Sequence, residues 1–189
     1  MVSEAAHSEV ASVLRGAGVV LGASALVAVC SHIALPLWFT PVPLTLQPFA
    51  VLLLGLILSP RMAAATLAAY LVEGAAGLPV FSPGFALGAG MVHLMGPTGG
   101  YLLSYPAAAA LVSWLRRRSV RGFAGAALSA AAGNAVILLC GFVWLTMWTH
   151  AGVGSAFALA VLPFLPGDAL KIVAAAAIVT GRDRIHRKK

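Results

Sequence analysis

Charge is scarce in this chain: five acidic and twelve basic residues among 189, beside 61% hydrophobic residues and a mean hydropathy of +0.99. That scarcity excludes the soluble globular classes, in which about a quarter of residues are charged. Cysteine is nearly absent too. Cys30 and Cys140 both fall inside apolar runs, where a thiol behaves as a small hydrophobe, so no disulfide scaffold is expected. His32, His93 and His150 lack metal-ligand spacing, and neither a metal nor a cofactor is expected. No GxxxxGK[ST] run occurs, and "GPTGGY", with no Lys after its glycines, reads as a helix start rather than a phosphate loop. The chain also lacks a convincing nucleophile–base arrangement, which argues against an intramembrane hydrolase and for a protein that is not an enzyme. A signal peptide is missing as well: the start "MVSEAAHSEVASVLR" carries Glu4 and Glu9, and "VAVC" has Val29 where a lipobox wants a small residue. The first apolar run is therefore expected to stay in the membrane.

What is present is apolar length. A hydrocarbon core of roughly 30 Å needs about 20 residues per helical span, which allows about six spans in one membrane domain, residues 1–189. Between Arg15 and Arg61 no residue carries a formal charge, and Pro36, Pro41, Pro43 and Pro48 interrupt the run midway. Two spans result, about 16–36 and the short "LTLQPFAVLLLGLIL". A third runs from Met62 to about Ala76 and contains Glu73. The Gly- and Pro-rich "GLPVFSPGFALGAGMVHLMGPTGG" is then an uncharged loop. Pro97 suits the first turn of a fourth span ending at "WLRRRSVR". A fifth covers about 122–148, with Trp144 and Trp148 as interfacial anchors, and a sixth covers about 155–180, broken by Pro163 and Pro166.

Six spans put eleven of the twelve basic residues at ends on one side, leaving only Lys171. The positive-inside rule makes that side cytoplasmic, with both termini inside: residues 1–12 form one tail and the basic residues 182–189 the other. The connections 36–48, 77–97 and 149–155 are then external, and none contains Lys, Arg, Asp or Glu. The net charge of +7 thus reads as topology rather than as a nucleic-acid surface.

Glu73, Asp168 and Lys171 are the formally charged residues left at membrane depth, and each is a substrate-binding candidate by cost alone. Asp168 and Lys171 share a helix face about 5–6 Å apart, after two prolines that break the helix. A broken helix at membrane depth is tolerated where its backbone is protein-buried or lines a cavity. The pair fits a structural ion pair, a clamp for a small ligand with both donors and acceptors, or a proton relay with Glu73. Thr40, Thr45 and Gln47 in "TPVPLTLQP" are weaker polar marks at the outer mouth, and Asn134 reads as an interhelical hydrogen bond. Gly18 and Gly22, with Ala28 further on, give the first span a small face for close packing, inside the fold or against another subunit.

Four stretches in order, "TPVPLTLQPFAVLLLG", "GAAGLPVFS", "LMGPTGGYLLSYP" and "VLPFLPGDALKI", resemble the BioY family, the biotin-binding membrane subunit of energy-coupling-factor (ECF) transporters. The resemblance implies an all-α, six-helix S component in the cytoplasmic membrane that captures biotin from outside, with the first external loop closing over the site. It carries substrate binding onto Asp168, Lys171, Thr45 and Gln47, and docking onto the small face of helix one. As partners it implies a transmembrane energy-coupling subunit and two ATPases. The competing reading is a self-sufficient secondary carrier driven through Glu73, Asp168 and Lys171.

Overall fold

A computed structural model of the chain describes residues 2–83 and 90–187. Residues 84–89, within the expected external loop 77–97, lie outside the described residues. The first helix, α1, spans Val2–His32 and so begins well before the expected first span. The physical reason is that no Pro or Gly precedes Gly16, and Ala, Glu and Leu in that stretch favour helix. It stops ahead of Pro36, as the restriction on the residue before a proline requires.

The proline-rich connection is more ordered than a loop. Strand β1 (Ala34–Leu35) pairs antiparallel with β2 (Leu44–Thr45), Ala34 opposite Thr45, and leaves Trp38 exposed at the tip. Helix α2 (Gln47–Ile57) has Pro48 in its first turn, and α3 (Pro60–Ala75) starts at Pro60 with the Ser59 side chain accepting from Met62 N. After the short α4 (Met91–Met95), α5 (Gly99–Arg118) and α6 (Phe123–Thr149) form the most extensive helix pair. The chain ends in α7 (Val153–Ala160) and α8 (Leu165–Arg187), bent by 45° where the sequence carries Pro163 and Pro166. The break expected in the last span is therefore present.

Among the described residues, Val10–His32 and Phe123–Thr149 are long and apolar enough to cross a membrane, as is the bent α7–α8 pair taken together. The Arg116 guanidinium meets the Asp183 carboxylate at 2.9 Å, which brings the C-terminal ends of α5 and α8 to one end of the bundle. At that end a second apolar cluster forms around Leu52, Val112, Ala130 and Ala176. A larger cluster gathers around Val51, Tyr70, Tyr105 and Phe164.

Glycines allow α5 and α6 to approach. A Cβ on Gly100 would lie 2.2 Å from Trp144 Cβ, and one on Gly141 would lie 2.1 Å from the Tyr101 ring. Trp144 packs on Gly99 and Gly100 of α5 and its Nε1 donates to Gly96 O at 2.8 Å, so this half-buried side chain also clamps the start of α5. Trp148, by contrast, is exposed. Gly141→Ala should lower the thermal stability of the detergent-purified protein by about 1–3 kcal/mol, because overpacking a close helix contact forces the Tyr101 ring aside. Gly154→Ala, with open space around the new methyl group, should leave the melting temperature unchanged or slightly higher.

Candidate functional site

The starts of α2, α5 and α8 converge with the second half of α6 around a cavity of about 530 Å3, mouth included. Its walls are mainly apolar, with Val42, Leu102, Ile137, Leu138 and Phe164 among them. Polar side chains are interspersed among them.

Asp168 and Lys171 line this cavity together, as their spacing on α8 predicts, and they are only 3% and 8% exposed. Lys171 Nζ donates to Asp168 Oδ1 at 2.9 Å, and Asn134 Nδ2 on α6 donates to Asp168 Oδ2 at 3.1 Å. Both carboxylate oxygens therefore have a partner. An ammonium has three donors, and among the described residues Lys171 uses one of them, on Asp168. Asn134 makes the interhelical bond expected of it, but onto the carboxylate that lines the cavity, which makes it a support of the site.

The bend between α7 and α8 frees carbonyls that a buried site must satisfy. Side chains do so: Tyr101 OH donates to Ala160 O at 2.7 Å and Thr40 Oγ1 donates to Leu159 O at 3.0 Å. Thr40, on the hairpin tip, thereby fastens the first connection to the break instead of lining the cavity. Asp168 N closes on Phe164 O at 2.8 Å, so the acid sits in the first hydrogen-bonded turn after the bend.

Thr45 and Gln47 also line the cavity, from β2 and the first residue of α2. Glu73 does not. Its Oε1 accepts from Ser24 Oγ at 2.9 Å in the contact between α3 and α1, so the three intramembrane charges are divided between two places. Gly18 and Gly22 are exposed, with nothing within 4 Å of a Cβ added to either. Ala28 packs inward against the main apolar cluster and does not share their face.

Several lining residues carry no signal in the sequence. Tyr101 and Tyr105 project from α5 one turn apart into the cavity. His93, which lacks metal-ligand spacing in the sequence, also lines it and stacks on Phe81 with ring centroids 5.2 Å apart. Burial holds its pKa below the ordinary histidine value, so the ring is neutral at neutral pH. Ser82 Oγ and Thr98 Oγ1 are buried at the cavity, without a hydrogen-bond partner among the described residues, and remain available to a polar ligand. No group of three potential metal ligands occurs among the described residues.

A family profile described as the BioY family matches residues 4–188. The chain belongs to the BioY family. One BioY relative, named a probable biotin transporter, from Pyrococcus horikoshii, is 41% identical over 73% of this chain and 78% of its own length. Another, named a biotin transporter, from Thermotoga maritima, is 36% identical over 82% of this chain and 88% of its own. The fold matches the crystal structure of the S-component for biotin from an ECF-type ABC transporter, with a TM-score of 0.81 over 92% of this chain and 93% of that one, at 21% identity. The mainly helical, S-component-like fold expected from the four sequence stretches is therefore observed, with a two-stranded hairpin added to the helices.

Proposed function

We propose that this BioY chain is the biotin-capture subunit of an ECF-type transporter, embedded in the cytoplasmic membrane and without enzymatic activity. The observation that carries the reading is the buried Asp168–Lys171 pair, which among the described residues leaves ammonium donors uncommitted at the wall of a mainly apolar cavity. Biotin fits that chemistry. Its ureido ring offers two N–H donors and a carbonyl, its thioether ring and chain are apolar, and its tail ends in a carboxylate. The names of the relatives favour biotin among ligands of this kind.

In the proposed topology α1, α2, α3, α5, α6 and the bent α7–α8 pair are the six spans, with both termini cytoplasmic and the cavity opening outward. Energy then comes from a transmembrane coupling subunit and two ATPases, since the chain has no phosphate loop. The position of Glu73 away from the cavity weakens the secondary-carrier reading, which needed it beside the pair.

Calorimetric titration of the detergent-purified chain should give saturable binding of biotin and none of thiamine or riboflavin. Folded protein that fails to bind biotin would sink the proposal. In a chain freed of Cys30 and Cys140, single cysteines at Arg61 and Arg118 should react only with reagent on the cytoplasmic side. Cysteines at Pro41 and Gly152 should react only from outside, and cytoplasmic labelling of position 152 would overturn the span count.

A further inference from the structure

Gln47 is 3% exposed and lines the cavity, while Tyr70 lies behind it, fully buried and outside the lining. Gln47 Nε2 is 2.5 Å from Tyr70 OH, and Tyr70 OH is 2.8 Å from Val80 O. The direction of this chain follows from chemistry. A backbone carbonyl can only accept, so the single tyrosine proton points at Val80. The tyrosine oxygen is then an acceptor, and the group facing it has to be the glutamine NH2. Gln47 is left with its carbonyl oxygen turned from Tyr70, without a partner among the described residues.

We infer that Tyr70 is a positioning residue: through its bond to Val80 it locks the Gln47 carboxamide so that the α2 wall of the cavity presents a hydrogen-bond acceptor to an N–H of the ligand. Without that lock an amide can turn over and present a donor instead, since its two ends are nearly equal in size. The same hydroxyl also ties the α2 wall to the segment that carries Ser82 into the cavity, because Val80 O is held from its other side by Ser31 Oγ at 2.7 Å. One buried phenol therefore sets the polarity of one wall and the position of the next.

This inference rests on the biotin reading, because biotin's only neutral-pH donors are its ureido N–H groups. The test compares biotin with its two ureido N-methyl derivatives on the wild-type chain, Tyr70→Phe, Gln47→Leu and the double variant, with melting temperatures recorded for each. The wild type should reject at least one N-methyl derivative. Tyr70→Phe should weaken biotin binding about five- to tenfold, the scale of one net hydrogen bond, and shrink that rejection by a similar factor. In the Gln47→Leu background, Tyr70→Phe should change binding no further, since its effect passes through Gln47.

Tyr70→Phe with wild-type affinity and rejection overturns the inference, as do losses that multiply independently in the double variant. Should Tyr70→Phe fail to fold, Gln47→Leu alone decides: it must erase the rejection of the N-methyl derivative, and retained rejection overturns the acceptor role. A wild-type chain that binds no biotin is a different failure, that of the biotin reading itself.

Discussion

Lys171→Met should weaken biotin binding by about 2–5 kcal/mol, between roughly thirtyfold and several thousandfold, measured by titration of the purified protein. Two losses combine. The ligand loses the ammonium donors that Lys171 leaves uncommitted, and Asp168 loses a partner 2.9 Å away while 3% exposed. Asn134 alone then faces a buried carboxylate. Asp168→Asn should have an effect of the same order for the complementary reason, an ammonium left without its counter-ion in an apolar wall. A purely structural pair behaves otherwise. Both single variants would lose folded yield, while an apolar double variant that packs well would bind biotin normally.

Replacing Gly18 and Gly22 together by Leu should reduce ATP-dependent biotin uptake to the level of cells lacking the chain, while the purified variant binds biotin with near-native affinity. Both glycines are exposed, and nothing in the bundle stands within 4 Å of an added Cβ, so the leucines disturb no internal contact. They do roughen a smooth helix face on which another transmembrane subunit could make a close backbone approach. Ala28→Leu serves as the contrast. Ala28 packs against the main apolar cluster, so that variant should lose stability and binding together. Normal uptake by the glycine double variant, in cells without an energising subunit, would favour the stand-alone carrier.

Apart from the start of α1, most helix boundaries were legible because prolines, glycines and arginines punctuate apolar runs, and these residues act locally. Pro60, Pro163 and Pro166 each mark a start or break that the structure contains. What was not legible depends on contacts between segments. The hairpin at 34–45 pairs only a few residues, and Trp144 packs on another helix because Gly99 and Gly100 leave room for it. The same division holds at the cavity. Asp168 and Lys171 stand out because a charge at membrane depth is expensive wherever it points. That argument is blind to direction, so it selects Glu73 equally, although Glu73 faces Ser24 and not the cavity. Tyr101, Tyr105 and His93 have apolar bodies that fit any buried helix face, and only the packing of α4 and α5 into the bundle places them on the cavity wall.

The central claim is that biotin occupies the cavity walled by α2, α5, α6 and α8 and engages the Asp168–Lys171 pair. An experimental structure of the chain with biotin bound tests it most directly. The account predicts biotin density between Gln47, Tyr101 and Phe164, with a polar group of the ligand within hydrogen-bond distance of Lys171 Nζ. Biotin bound elsewhere on the molecule, or in this cavity with Lys171 paired to Asp168 alone, would contradict it.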